Sequence, residues 1–325
     1  MKFLQRDETF PIAGRFTIAR GSKTEACVLY VELEDQGHTG RGEAVPYGRY
    51  GESLKQSMND LEAVRHRIEG GLSFSDLHDL LPAGAARNAL DCALWDLNAK
   101  STGIPAWQTA GLKRLDPLKT AYTLSLDTPE AMGAQASVNG RRPVLKLKIG
   151  GAHDLDRVEA VRNKAPHARL IVDANEGLLF EDLQRIAPDM KRLGVMLIEQ
   201  PLKVEEDEQL LGYDCPVPLC ADESLHTRME LDRCSRLYTC INIKLDKTGG
   251  LTEALALKAE AIEAGLGIMV GCMVATSLSM APAMLVAQGA DYVDLDGPLL
   301  LARDREHGLE ITGSILHPAT PALWG

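Results

Sequence analysis

No two of the seven cysteines stand as a C-x-x-C pair, and their number is odd. Neither a disulfide framework nor a thiolate metal site is therefore written in the chain, and the cysteines read as buried thiols in a reducing compartment. Positive charge is also short. Lys and Arg number 35 against 46 Asp and Glu, a formal net charge of −11. That excludes nucleic acid and an anionic membrane surface as the main partner, while leaving room for a local cationic site. The first residues, MKFLQRDETFPIAG, lack the apolar core of a signal peptide. Low-complexity tracts and long linkers are missing too, and the expected location is the cytoplasm. One uncharged run, residues 264–290, is long enough to cross a bilayer. Gly271, Pro282 and several Ser and Thr interrupt it, however, and LGIMVGCM followed by a helical segment reads as a buried strand–helix unit. The 325 residues, 45% hydrophobic and 25% charged, suit a globular protein of one large domain or two.

The chain changes character along its length. In the first third, ACVLYVELED (26–35) reads as a strand. Residues 52–102 read as helical, with apolar residues of AGAARNALDCALWDLNAKSTG at helical spacing and Gly103 as a stop. A helical bundle with a small sheet is the inference. From about residue 116 short apolar runs alternate with amphipathic segments. The runs are LKTAYTLSL (118–126), PVLKLKIG (143–150), ARLIVDAN (168–175), GVMLIEQP (194–201), VPLCADES (217–224), CINIKLDK (240–247), LGIMVGCM (266–273) and DYVDLDG (291–297). Eight strands with seven helical crossovers point to parallel β and a TIM-type barrel, with a doubly wound sheet as the alternative.

The stretch PVLKLKIGG (143–151) carries two lysines inside an apolar strand closed by a glycine pair. Residues i and i+2 share a strand face, so Lys146 and Lys148 point one way and Leu147 the other. Charged residues recur near the C-terminal ends of the other runs: Asp173, Glu199, Asp222, Lys244, Asp294 and Asp296. In a barrel those ends converge on the face where active sites are built. A single buried charge is commonly paired with a neighbour for structural reasons; a set of eight at corresponding positions is not explained that way.

Asp173, Glu199 and Asp222 come from successive strands, so their oxygens would repel unless a divalent cation lay between them. An all-oxygen donor set favours Mg²⁺ over Zn²⁺. Lys148 with Lys146 on one side and Lys244 on the other would flank a substrate bound there. Neighbouring positive charge lowers a lysine pKa and suits it to proton abstraction. One base on each face of a carbon is what stereochemical inversion needs, with the metal and a nearby cation stabilising the enediolate. Schiff-base chemistry at Lys244 is the rival. Asp294 and Asp296 lie on one face outside the metal cluster and would attract an ammonium group. A short peptide with a free N-terminus has a carboxylate and a cation so arranged.

These residues resemble a known family. The K-x-K strand, the Asp/Glu/Asp set and the following Lys are those of the enolase superfamily, whose use of a Lys or His base with Mg²⁺ is established. GAARNALDCALWDL (84–97), IVDANE (171–176), CADES (220–224), NIKLDKTGGLTEALAL (242–257), GCM (271–273) and DLDGP (294–298) narrow the resemblance. They are similar to the L-Ala-D/L-Glu epimerases, dipeptide epimerases of the muconate-lactonizing-enzyme-like subgroup. The resemblance implies a (β/α)7β barrel over residues 116–299. It also implies an α+β capping domain over 1–115, completed by the tail 300–325. Lys148 and Lys244 would be the acid/base pair and Lys146 the cation beside the enolate. Asp173, Glu199 and Asp222 would bind one Mg²⁺, with Mn²⁺ as the alternate ion, and Asp294 and Asp296 the substrate ammonium. Cap segments 18–25 and 46–53 would select the side chain, with Arg20 and Lys23 as cations for a glutamate and Arg49 behind them. The implied reaction is epimerisation of L-Ala-D-Glu to L-Ala-L-Glu in murein peptide salvage. Alternatives are a dipeptide epimerase of other specificity, a cycloisomerisation or o-succinylbenzoate synthesis. A catalytically silent metal-binding barrel would lack one of these lysines or carboxylates. The expected partner is a small dipeptide, with no nucleic acid or membrane; a homo-oligomer is allowed.

Overall fold

The computed structural model describes residues 1–150 and 154–325; Gly151, second of the glycine pair closing the K-x-K strand, lies outside the described residues. The chain begins with a three-stranded antiparallel sheet of β1 (Lys2–Ile18), β2 (Gly21–Asp35) and β3 (His38–Ala44). Sequence patterning found only β2. In β1 only Phe3, Phe10 and Ile12 are buried, too few to set up an alternating signal. Leu29, Val31 and Leu33 of β2 pack with the helix Ala85–Thr102, which is buried along most of its length. Gly40 and Gly42 let that helix lie directly on β3, because a Cβ at either would collide with the carbonyl of Ala93 or Ala89. Gly103 ends the helix in the left-handed region, as the sequence predicts. The helical stretch before it is broken into Leu54–Ala63, Arg65–Glu69 and Asp76–Leu80.

After β4 (Leu118–Lys119), eight parallel strands form one sheet. They are β5 (Tyr122–Leu124), β6 (Val144–Lys148), β7 (Arg169–Asp173), β8 (Val195–Glu199), β9 (Leu219–Ala221), β10 (Cys240–Ile243), β11 (Gly267–Gly271) and β12 (Tyr292–Asp294). They neighbour one another in chain order. The edges meet where Ala121 N donates to Val293 O (2.8 Å), Leu295 N to Thr120 Oγ1 (2.8 Å) and Thr123 N to Asp296 Oδ2 (2.6 Å). The architecture is thus the expected barrel with an α+β cap, and a doubly wound sheet is ruled out.

Two details differ from the sequence reading. The run 118–126 is split, because β4 leaves the barrel to pair with β14 (Ile315–Leu316), itself paired with β13 (Ile311–Thr312). The β8–β9 crossover holds no α-helix. Pro201, Pro216, Pro218 and the acidic run 205–208 deny it an amphipathic face, and it forms only a 3-10 turn, Asp207–Leu210. The uncharged run 264–290 does become β11 plus the buried helix Ser277–Ala287, and among the described residues no helix is long and apolar enough to cross a membrane.

Glu43 ties the cap sheet to the barrel. It is fully buried and accepts from Thr276 N (2.8 Å), Thr276 Oγ1 (2.5 Å) and Arg305 Nη2 (2.6 Å). Arg305 also pairs with Glu8 at 2.5 Å. Removing the arginine leaves an uncompensated buried carboxylate. Arg305→Ala is therefore expected to lower the unfolding free energy by about 3 kcal/mol in urea titrations. Adding Glu43→Gln should recover part of that loss; no recovery would mean the pair is not the source.

Candidate active site

The barrel interior is layered. Ile171, Leu197, Cys220, Cys240 and Met269, one from each of five strands, form a buried apolar floor. Leu145 and Leu147 face outward into the main core, which sends Lys146 and Lys148 inward as the period-2 reading requires. Two cysteines thus serve as barrel filling and all seven are free, but Cys27 is exposed, contrary to the expectation that all are buried.

Above the floor lies a charged layer. Lys148, Asp173 and Glu199 stand side by side in register across β6, β7 and β8. Asp222 and Lys244 follow immediately after β9 and β10, and Asp296 lies two residues beyond β12. Lys146, only 2% exposed, has its Nζ 2.7 Å from Glu199 Oε2, 2.7 Å from Asp294 Oδ2 and 3.1 Å from Asp173 Oδ2. Lys148 Nζ donates to Asp173 Oδ2 at 2.5 Å, and Lys244 Nζ to Asp222 Oδ2 at 2.6 Å. β6 and β10 are four strands apart in an eight-stranded ring, so Lys148 and Lys244 rise from opposite walls. Both line one cavity of about 630 Å³, which also takes in Asp222, Asp294 and Asp296.

The charges set one another. Asp173 is held below the usual carboxylate range, since Lys146 and Lys148 outweigh its burial; Asp222 is likewise held well below it, Lys244 and Lys247 outweighing its burial. Glu199 is pushed up to about 7 by burial and then by Asp173. Asp296 is pushed up to about 7 by burial and then by Asp294. Lys146 and Lys244 are held well above the ordinary lysine value. Burial opposes this, but Asp173, Asp294 and Glu199 act on the first and Asp222 and Glu199 on the second. With no divalent cation among the acids, carboxylates are the nearest charges to both lysines.

Whether Asp173, Glu199 and Asp222 suit a cation can be judged from their surroundings. All three are buried oxygen donors; Asp222 raises the pKa of Asp173, and both raise that of Glu199. Glu199 Oε2 takes no hydrogen bond even though Lys146 Nζ is near. Among the described residues no three His, Cys, Asp or Glu side chains stand close enough to hold an ion as placed; ammonium groups stand between the acids. The donor chemistry fits a hard divalent ion.

Arg20, Lys23, Arg49, Tyr47 and Tyr50 of the cap reach the same cavity. Arg20 is already engaged: it donates to Glu223 Oε1 (2.6 Å), Glu176 Oε2 (3.1 Å), Asn175 O (2.8 Å) and Tyr47 OH (3.1 Å). Arg49 makes a two-pronged pair with Glu176 at 2.7 and 2.8 Å. Lys23 lies 5.4 Å over the Tyr47 ring and has no carboxylate partner among the described residues.

Three residues here escaped the sequence reading. Lys247, wholly buried, donates to Asp222 Oδ1 (2.7 Å), Asp222 O (2.6 Å) and Asn242 O (2.8 Å). Asn242 Nδ2 donates to Glu199 Oε1 at 2.8 Å. Asp246, next to Lys244 and Lys247, accepts from Val45 N (2.8 Å) and Asn88 Nδ2 (2.9 Å) of the cap. The available signal was the i, i+2 spacing of Asn242 and Lys244 and the tight packing of charge in NIKLDK.

Comparison with known proteins agrees with this geometry. Residues 3–111 match the family model described as mandelate racemase / muconate lactonizing enzyme, N-terminal domain, and 131–317 that described as enolase C-terminal domain-like. The chain is 44% identical to an L-Ala-D/L-Glu epimerase of Escherichia coli K12, over 96% of this chain and 98% of the relative. It is also 44% identical to an N-acetyl-D-glutamate racemase of a Pseudoalteromonas species, over 92% and 95%. A crystal structure of an Agrobacterium tumefaciens enolase family member with homology to dipeptide epimerases, holding sodium and L-Ala-L-Glu, superposes with a TM-score of 0.98 at 50% identity, covering 99% of each chain. A dipeptide epimerase from Methylococcus capsulatus, complexed with Mg and L-Arg-D-Lys, superposes with a TM-score of 0.90 at 31% identity, covering 98% and 96%.

Asp246 provides a pH test of the cap contact behind Lys244. Burial pushes its carboxyl up to about 7 from the ordinary 3.8. The folded chain then holds this proton more tightly than the unfolded one, so the contribution to stability is present at low pH and lost as pH rises through 7. Asp246→Asn keeps an acceptor and carries no charge. The unfolding free energy of the wild type minus that of the variant is expected to fall between about pH 4 and about pH 8. A difference that stays flat refutes the assignment.

Proposed function

We propose that this chain, which belongs to the mandelate racemase and muconate lactonizing enzyme family of the enolase superfamily, is a dipeptide epimerase. It inverts the α-carbon of the C-terminal residue of a dipeptide and interconverts L-Ala-D-Glu and L-Ala-L-Glu. The observation that carries the reading is the pair Lys148 and Lys244 on opposite walls of one cavity, with the strands that bear Asp173, Glu199 and Asp222 between theirs in the ring.

Lys148 as the free amine takes the α-proton from one face, and the Lys244 ammonium returns its own proton to the other. Each turnover leaves the pair in the complementary protonation state, and the reverse reaction exchanges their roles. Mg²⁺ held by Asp173, Glu199 and Asp222 would supply the Lewis acidity that makes the α-proton of a carboxylate removable. Lys146, kept protonated by its three acids, places a fixed positive charge beside the negative charge that develops on the substrate. Asp294 and Asp296 receive the ammonium. Asp294 Oδ1 is buried without a hydrogen bond, and the pair is short of positive charge, as the raised pKa of Asp296 records. With Arg20 held by two carboxylates, Lys23 is the cap cation left for a glutamate side chain. The substrate is of the kind released by peptidoglycan breakdown.

A second reading, racemisation of an N-acylated amino acid, is favoured by the likeness to the N-acetyl-D-glutamate racemase. Such a substrate has no ammonium for Asp294 and Asp296.

In D₂O with Mg²⁺, L-Ala-L-Glu is expected to be epimerised with α-deuterium entering both epimers, and chelation should stop it. Lys244→Ala should lose interconversion by roughly 10³-fold, within the range for a positioned acid or base, while one epimer still exchanges through Lys148. Interconversion retained in that variant would refute the two-base assignment. N-acetyl-L-glutamate should be slower in kcat/KM than L-Ala-L-Glu by about tenfold or more, a difference of roughly 1.4 kcal/mol. Asp296→Asn, which leaves the Lys146–Asp294 ion pair in place, should lower kcat/KM for the dipeptide by more than for the acetyl compound; the opposite preference would select the second reading.

A further inference from the structure

Glu176 ends the IVDANE segment and has no part in the chemistry above. It is not among the residues lining the cavity. Its side chain is 6% exposed, and two cations from separate cap segments converge on it. Arg20 lies in the turn between β1 and β2, and Arg49 in the 3-10 turn Gly48–Tyr50. Arg49 grips both carboxylate oxygens, Arg20 Nη1 takes Oε2, and Val204 N of the β8–β9 crossover donates to Oε1 at 3.3 Å. The two arginines outweigh burial and hold the carboxyl below its usual range. The backbone that presents it is strained. Asn175 and Glu176 both have positive φ, 44° and 69°. Non-glycine residues hold such conformations only where the surroundings enforce them.

Three separate pieces of chain therefore meet on one carboxylate that does not line the cavity. Arg20 is bound to Glu176 and Glu223, whereas Lys23, three residues on, stays unpaired by acid among the described residues. We propose that Glu176 is the positioning residue for side-chain recognition. Its carboxylate straps both cap segments to the barrel and, with Glu223, keeps Arg20 engaged, so that Lys23 is the cation left for the substrate side chain. The part concerning the side chain rests on the dipeptide reading; the strap does not.

Hydrogen exchange of the substrate-free enzyme measures the strap directly. In Glu176→Ala, amides of segments 18–25 and 46–53 should exchange faster by about tenfold or more while the barrel strands are unchanged. Glu176→Gln, which keeps an acceptor for Val204 N and for one Arg49 nitrogen, should fall between the wild type and Glu176→Ala. Arg49→Ala should reproduce the effect on 46–53, and combining it with Glu176→Ala should add little there, because both remove one contact. In turnover, KM for L-Ala-L-Glu should rise about tenfold with kcat within about twofold, since the lysine pair is untouched. Unchanged exchange in both segments would overturn the strap. Faster exchange with a fallen kcat and an unchanged KM would overturn the role in recognition. A wild type inert on the dipeptide would count against the proposed function alone, with exchange still deciding the strap.

Discussion

Four buried ammonium groups, on Lys146, Lys148, Lys244 and Lys247, face five buried carboxylates, on Asp173, Glu199, Asp222, Asp294 and Asp296. Charge in a protein interior is tolerated only where opposite charge lies within a few ångströms, and pairs alone repay little of the desolvation they suffer. Here the balance is short on the positive side, and the shortfall is localised. Glu199 and Asp296, at different places in the ring, are the two carboxyls of this layer pushed up to about 7. The first lies among the three acids of successive strands, the second in the D-x-D pair. Each marks a place where added positive charge lowers the free energy, and on the proposed reading a divalent ion meets one need and the substrate ammonium the other. The distance between these two demands sets how far apart a ligand must carry its carboxylate and its cation.

The rest of the fold holds that layer in place. The apolar floor of Ile171, Leu197, Cys220, Cys240 and Met269 closes the barrel beneath it. Lys247 fixes Asp222 through both its side chain and its carbonyl, so the acid that pairs with Lys244 is held by a second, inaccessible lysine. Asp246, between these lysines, is tied to Val45 and Asn88 of the cap, and Glu43 joins β3 to Thr276 and Arg305. The cap thus touches the segments flanking the charged layer at several places.

The sequence disclosed the charged layer because strand periodicity acts locally. Lys146 and Lys148 had to share a face, and the charged residues near the C-terminal ends of most of the following runs had to point into the ring if the ring closed. It did not disclose contacts set by distant residues. The partners of Arg20 are Glu176 and Glu223, 156 and 203 positions away, so whether that arginine was free or held could not be read from its own segment. β1 was invisible because most of its residues are exposed and carry no alternation.

Overall likeness does not choose the substrate. The L-Ala-D/L-Glu epimerase and the N-acetyl-D-glutamate racemase are each 44% identical to this chain over more than nine-tenths of its length. The two reactions share the abstraction of an α-proton beside a carboxylate, so the lysines, the acids of the three successive strands and the barrel would serve either. Their substrates differ in charge at the α-nitrogen end, where one bears an ammonium group and the other a neutral acyl group. The matching feature in the protein is the pair Asp294 and Asp296. A neutral acyl group set against it would leave Asp294 Oδ1 unpaired, and the burial and the Asp294 charge that together raise Asp296 uncompensated. An ammonium removes both penalties at once, and on that balance of charge the dipeptide is the better ligand for this cavity.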